Sequence, residues 1–384
     1  MIDVVIAGGA AVGTAVAYFL TMQPAFAGSI VVVEPDPTYE FAASARSAAS
    51  IRQQFSTPLN IALSSFGIDF LRTFNRTVAD VGLVESTYLY LASGAGEAVL
   101  RQNVEVQRRC GIATRVHDAA ALSAQYPWLN ASDIAVASDT AGGEGWFDGY
   151  ALLRALRREN ERRGVRYVRD RVAAVVMRGA NAVAGVRLGG GDTVACRWLV
   201  NAAGTRSRDI AAQAGIDLPV VPRKRSVFVF TSPTTLSGCP MVIDTSGLWF
   251  RPERDKFICG TVPTDDRAVA PDDFEVEHAQ FDELLWPALA HRVPAFEAVR
   301  VASSWAGHYD YNTFDQNAFL GPTEAVPNLL LASGFSGHGL QHAAAVGRAL
   351  AEYITFGEYR SIDVTPFAYS RYLQGRPLRE HNII

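Results

Sequence analysis

The decisive stretch is Asp3-Val4-Val5-Ile6-Ala7-Gly8-Gly9-Ala10-Ala11-Val12-Gly13-Thr14, near the start of the chain. Asp3 to Ile6 is largely β-branched and apolar, which predicts a short buried strand, and Gly8 and Gly9 break it. An apolar helix is expected from about Ala11 to Met22, then a second β-branched strand from Ser29 to Val33 that ends in Glu34 and Pro35. Strand, glycine turn, helix and strand make a βαβ unit of the length that a mononucleotide-binding half requires. In such a unit the first glycine forms the tight turn, the last lets helix pack on strand, and the helix N-terminus receives a pyrophosphate. Glu34, at the end of the second strand, is placed to accept bonds from ribose hydroxyls, and an acid there favours an unphosphorylated ribose. Ala10 departs from the pattern, standing where a middle glycine would let the backbone approach the phosphate most closely. The competing reading is an ordinary tight βα turn without a ligand, and this unit alone leaves nicotinamide and flavin both open.

Outward from this unit, the composition fits a globular protein of more than one domain. The chain has 384 residues, 49% hydrophobic and 19% charged, with a net charge of -4, which argues against a nucleic-acid binder. Cys110, Cys196, Cys239 and Cys259 lie far apart, so neither a disulfide framework nor a zinc site is suggested, and a reducing, cytoplasmic setting is expected. Ala25-Phe26-Ala27 resembles a signal-peptidase site, but no basic residue precedes it and the strand-turn-helix pattern argues against a signal peptide. No stretch approaches the length of a membrane span. Of 35 basic residues only Lys224 and Lys256 are lysines. Helical spacing recurs over Thr57 to Phe74 and Tyr150 to Arg163, the latter arginine-rich but interleaved with Glu, as in a solvated face. Val172 to Arg187 reads as a hairpin and Arg197 to Val200 as a strand, while a strand-rich section opens at Ser226 and runs to about residue 320.

At the far end, Gly334-Phe335-Ser336-Gly337-His338-Gly339-Leu340-Gln341 lies between a strand over Leu329 to Ala332 and a helix over Ala343 to Phe356. Its glycines permit close backbone approach, and its amides could hold negative charge on a reduced flavin. This segment, the Gly8 to Gly13 fingerprint with Glu34, the Ser44 to Phe55 loop, Asn201 to Ser207 and Trp305-Ala306-Gly307 together resemble the D-amino-acid oxidase and sarcosine oxidase superfamily of FAD-dependent amine oxidoreductases. Ser50 to Ser56, Pro222-Arg223-Lys224-Arg225, Asp244 to Gly247, Tyr309 to Asn317 and the terminal Asn382-Ile383-Ile384 are closest to a narrower group. That group contains a mitochondrial FAD-dependent oxidoreductase linked to complex I assembly.

The resemblance implies a mixed α/β fold in which a Rossmann-type FAD-binding domain (1–80, 148–220 and 321–384) is interleaved with a substrate domain (81–147 and 221–320) built on a mostly antiparallel sheet. It implies noncovalent FAD, because Gly307 stands where several sarcosine oxidases carry a flavin-bonded cysteine. The FAD contacts implied are Gly8, Gly9, Ala11, Val12, Gly13, Glu34 and Pro35, then Ser44, Arg46 and Ile51. Val172, Ala202 and Gly204 follow, with Phe335, Gly337, His338, Gly339, Leu340 and Gln341 around the flavin pyrimidine.

For the substrate, Tyr309 stands where glycine and D-amino-acid oxidases carry a carboxylate-binding arginine, which resembles the sarcosine oxidase side. Arg52 then becomes the expected carboxylate ligand, against the alternative of a structural ion pair, and Gln341 replaces a second, lysine ligand. Arg223, Lys224, Arg225 and Arg251 suggest a cationic site able to receive a second acidic group, as in iminodiacetate, and His308 either lines the pocket or packs. The expected reaction is oxidation of a secondary amino acid such as sarcosine or iminodiacetate. Hydride passes from the C–H beside the amine to flavin, the imine hydrolyses, and O2 yields H2O2. The family's oxygen-activating lysine has no match here; Lys256 is one residue out of phase on its strand, which leaves Lys224 or an arginine. The alternatives are a dehydrogenase using a protein or quinone acceptor, and a flavin-bound assembly factor with little turnover. Oligomeric state is not legible.

Overall fold

The structure, a computed structural model, describes residues 1–381; the terminal Asn382-Ile383-Ile384 lies outside the described residues. Strand Ile2–Ala7 is central to the first sheet, flanked in parallel by Ile30–Val33 and Thr193–Asn201. Arg166–Val168 extends the sheet beyond Ile30–Val33, and Leu329–Ser333 pairs in parallel with Thr193–Asn201. The expected hairpin is present as Val172–Met177 and Val183–Leu188. Val4, Ile6 and Val32 are buried in one core cluster while Val5, Val31 and Val33 are buried in another, so both faces of these strands are covered. That two-sided burial is why the strands read as unbroken β-branched runs.

Helix Ala11–Met22 packs on one face together with helix Gly339–Phe356, where a Cβ on Gly347 would lie 2.7 Å from the Ala15 carbonyl carbon. The second helix begins at Gly339, four residues before the Ala343 expected from the apolar run. Glycine propensity delays the sequence reading, but the turn at 334–338 aims the chain directly into helix.

The second sheet runs in the order Arg300–Asn312, Val220–Thr231, Lys256–Gly260, Trp249–Glu253, Met241–Ile243, Tyr88–Ala92, Val136–Thr140, Thr114–Asp118. Every neighbour pair is antiparallel except Met241–Ile243 with Tyr88–Ala92. The fold is therefore mixed α/β, as expected. Strand Val220–Thr231 starts six residues before the expected Ser226, because it is paired along its whole length with Arg300–Asn312, from Val220 opposite Asn312 to Thr231 opposite Arg300. Cross-strand pairing thus carries Arg223, Lys224 and Arg225 inside a strand that their own propensities do not announce. A small third sheet joins Ser50–Ile51, Glu144–Trp146 and Val84–Ser86.

Candidate active site

A cavity of about 870 Å³ extends from the glycine turn of the first sheet to the face of the second. At the end beside the glycine turn it is lined by Gly8, Ala10, Val12, Glu34 and Pro35, with Val172, Ala202 and Gly204 opposite. Gly8 has φ +98°, and a Cβ there would stand 2.3 Å from the Ala202 carbonyl oxygen. Only glycine satisfies both the conformation and the close approach. Ala10 is extended, with φ -73° and ψ -166°, so its methyl is accommodated without backbone strain. Glu34 Oε2 accepts from the Gly9 amide at 2.8 Å and Oε1 from the Asp36 amide at 2.9 Å, and burial holds its carboxyl above the usual range.

Gly9, Ala11 and Gly13 stand behind this wall rather than on it. Beyond the Gly9 bond to Glu34, the Ala11 amide donates to Ser44 Oγ at 3.2 Å, and Gly13 packs on the Gly8 carbonyl. Ile51 is also off the wall: its side chain is fully buried and packs by Gly67, while its chain neighbours Ser50 and Arg52 reach the cavity. Strand alternation explains the correction, since adjacent side chains point to opposite faces.

The middle of the cavity is lined by Ser44, Arg46, Gly307, Tyr309 and the 335–341 turn. Arg46 donates to the carbonyls of Glu40 and Ala306, each at 2.8 Å, and Trp305 Nε1 donates to the Arg46 carbonyl at 2.8 Å. The Trp-Ala-Gly triplet therefore locks the loop after the second strand. Gly337 has φ +100°, and its Cα lies so close to the Tyr309 ring that a Cβ would approach it to 2.7 Å. Asp310 Oδ2 accepts from the Gly334 amide at 2.7 Å, and Ser336 donates its amide to the Asp310 carbonyl at 3.1 Å. Burial pushes the Asp310 carboxyl up to about 6.

Arg52 is buried and lines the cavity, with its guanidinium 4.2 Å from the Phe55 ring centroid and Nη2 3.1 Å from His338 Nε2. A guanidinium only donates, so His338 Nε2 accepts and its proton sits on Nδ1. Burial and the Arg52 charge hold His338 well below its usual range, which keeps it neutral. Gln341 lines the cavity too, but its Oε1 already accepts from the Arg52 amide at 3.0 Å, so it orders the loop rather than offering a free carbonyl to substrate.

The cationic cluster is corrected in kind. Arg223 Nη1 donates to Asp266 at 2.6 Å, and Arg225 donates to both Asp266 oxygens, at 2.7 and 3.1 Å. Arg251 is bonded to Glu253 at 2.6 Å and to the Ala48 carbonyl at 2.7 Å. Lys224 binds Asp273 at 2.9 Å and does not line the cavity, so it is not placed as the cation expected beside the flavin. Lys256 is likewise outside the lining, as its phase predicts. Of the strand cations Arg225 alone reaches the cavity, because Lys224 projects from the other face of the strand and Arg223 lies over Tyr311, 3.7 Å from its ring centroid. His308 lines the cavity, donates through Nε2 to the Asp273 carbonyl at 2.6 Å and stacks on Phe274. Burial lowers its pKa.

Tyr88, Met241, Ile243, Trp249 and Thr261 complete the wall on the side of the second sheet and were not singled out from sequence. Met241 and Ile243 share one strand face, a period-2 signal that was available, but only the sheet order brings them beside Tyr88.

Comparison with known proteins places the chain in a family. The pattern of the DAO family, described as FAD dependent oxidoreductase, matches residues 3–353. FAD-dependent oxidoreductase domain-containing protein 1 of Xenopus laevis is 39% identical over 422 residues, covering 100% of this chain and 85% of that protein. The mitochondrial dimethylglycine dehydrogenase of Rattus norvegicus is 25% identical, covering 96% of this chain and 45% of its own length. L-proline dehydrogenase from P. horikoshii has the same fold, with a TM-score of 0.87 at 23% identity over 98% of this chain and 99% of that one. Two of these relatives correct the cytoplasmic expectation: the Xenopus laevis and Rattus norvegicus proteins are animal proteins matched across nearly the whole chain, and the one named with a compartment is mitochondrial. The glycine cradle at Gly8, the acid at Glu34 and a cavity of about 870 Å³ fit an extended dinucleotide. The chain belongs to the DAO family of FAD-dependent oxidoreductases.

Proposed function

We propose that the protein oxidises the CH–NH bond of a small secondary amino acid, an N-substituted glycine of the sarcosine or iminodiacetate kind, and passes the electrons to an acceptor other than oxygen. The observation that carries the substrate class is the far end of the cavity, where an aromatic and aliphatic wall of Tyr88, Met241, Ile243, Trp249 and Tyr309 meets the guanidiniums of Arg52 and Arg225. Bound FAD would supply the two-electron oxidising chemistry. Gly8, Val12, Glu34, Val172, Ala202 and Gly204 would hold its nucleotide part, and Ser44, Arg46 and the 335–341 turn its flavin. Noncovalent attachment is supported by Gly307, which offers no thiol, and by the position of all four cysteines outside the cavity lining.

The chain's own residues bind and orient. A guanidinium fits a substrate carboxylate in bidentate geometry, and the apolar wall excludes water and favours the neutral amine that must lose hydride. The reading also assigns FAD binding to 1–80, 148–220 and 321–384 and substrate binding to 81–147 and 221–320, supported by the two sheets, which draw nearly all their strands from these stretches.

The acceptor half rests on the lysines. Both lie outside the cavity lining, so the oxygen-activating role has no lysine to fill it. A relative 25% identical over most of the chain is named a dehydrogenase. The second reading is an oxidase, favoured by Arg225 in the wall, which would supply the cation that oxygen reduction needs. An anaerobic screen of sarcosine, iminodiacetate and primary D-amino acids, read by flavin bleaching, tests the substrate class. Preference for primary D-amino acids overturns it, and no bleaching by any amine points to an assembly role. One peroxide per turnover in air overturns the acceptor half.

A further inference from the structure

Between strand Lys256–Gly260 and the helical turns that begin near Gln280, residues 261–278 contain neither helix nor strand apart from one bridge, Ala268 with Arg223. Stretches of this length without regular structure are uncommon in compact domains and recur as active-site lids. This one crosses the substrate end, where Pro271, Asp272 and Phe274 line the cavity. Beside backbone bonds such as Val269 N–H to the Pro222 carbonyl at 3.0 Å, it is held by ion pairs. Asp266 is shared between Arg223 and Arg225, Asp273 binds Lys224 at 2.9 Å, and Glu277 lies 3.6 Å from the same ammonium. Three consecutive strand cations are thus matched by acids of a single segment. Phe274 adds a stack on His308, with ring centroids 4.3 Å apart, and a contact with Phe41 at 4.8 Å.

The two partners in the Arg225 pair differ in freedom. Arg225 sits in a fully paired strand, is 8% exposed, and its Nε has no acceptor among the described residues. Asp266 is carried by the irregular segment and its side chain is 20% exposed. A bidentate carboxylate on a wall guanidinium has the shape of a ligand carboxylate. Removing Asp266 without replacement would leave a buried charge uncompensated, so the segment stays latched until another acid takes its place.

We propose that Arg225 is the subsite for a second acidic group of the substrate and that Asp266 is its exchangeable partner, so that a two-carboxylate ligand unlatches residues 261–278. The inference rests on the reading above that a small amino acid occupies this end of the cavity, and it narrows that class to dicarboxylic amines.

The test is hydrogen exchange across 261–278 in the purified holoenzyme, with succinate as the two-carboxylate probe and acetate as its control. Succinate is expected to speed exchange in this segment and acetate to leave it unchanged. Asp266→Asn is expected to speed exchange with no acid present and to abolish the succinate response. Arg225→Gln is expected to lose the response as well; Arg225→Lys, which keeps charge but not the fork, is expected to weaken it and serves if the Gln variant does not fold. No succinate effect, or a full effect in either Arg225 variant, overturns the proposal. In turnover, Arg225→Gln should raise KM for iminodiacetate about tenfold while changing KM for sarcosine less than about twofold, the loss of one charge-assisted pair. If no amine is oxidised, the proposed reaction fails, and the exchange result still decides the role of Arg225.

Discussion

The two ends of the cavity are built by opposite means. The end beside the glycine turn is made of backbone: the Gly8 turn against Ala202, amides donated to Glu34, and a helix N-terminus, all within the first two strands and their neighbours. The end under the second sheet, read above as the substrate side, is made of side chains from distant segments, with Arg225 from one strand, Asp266 from an irregular stretch and Tyr309 from a third element. Backbone geometry tolerates almost no change, whereas paired charges can exchange partners. The difference teaches where this molecule is rigid and where it is free to recognise.

The comparison breaks most severely at Gly8. Gly8→Val should yield protein without flavin and less stable by roughly 3 kcal/mol or more, from strain at positive φ and overlap with Ala202. The FAD to protein ratio and the Tm measure it; a flavin-replete variant would sink the backbone account. Glu34→Ala should weaken FAD binding by roughly 10- to 100-fold, the loss of charge-assisted bonds to ribose, as read by flavin fluorescence titration. Unchanged affinity would show that the acid serves only the Gly9 and Asp36 amides.

Asp310 joins the two ends, since its carboxylate clasps the turn at Gly334. Its pKa is raised from 3.8 to about 6, so the folded chain holds this proton more tightly than the unfolded one does. Its contribution is greatest below 3.8 and is lost as pH rises through about 6. Asp310→Asn should therefore flatten the stability profile over that window, by about 1–3 kcal/mol, in Tm measured against pH. A slope unchanged in the variant would assign the titration elsewhere. The smallest effect is expected at Lys224→Met, which removes ion pairs to partly exposed acids and should cost about 0–1 kcal/mol with turnover changed less than about twofold. A large fall in peroxide formation in that variant would return Lys224 to the chemistry and favour the oxidase.

Legibility follows the same division. The βαβ unit, Glu34, the 334–341 turn and the Val172 hairpin were readable because each is a contiguous stretch whose periodicity and glycines state its conformation. Ile51 was misplaced by one residue of strand phase, and the apolar wall of Tyr88, Met241 and Trp249 was missed because its members meet only through the order of the second sheet.

The sequence by itself determined the glycine turn, the acid that follows it and the family to which the chain belongs, because these depend on neighbouring φ and ψ angles and on local spacing. Only the tertiary structure decided what the cations do. Arg223, Lys224 and Arg225 are adjacent in the chain, yet strand alternation sends Lys224 to the face opposite the two arginines, and their acids arrive from some forty to fifty residues away. Coulomb interaction depends on distance through space, so the fate of a charge is fixed by the fold that brings its partner near.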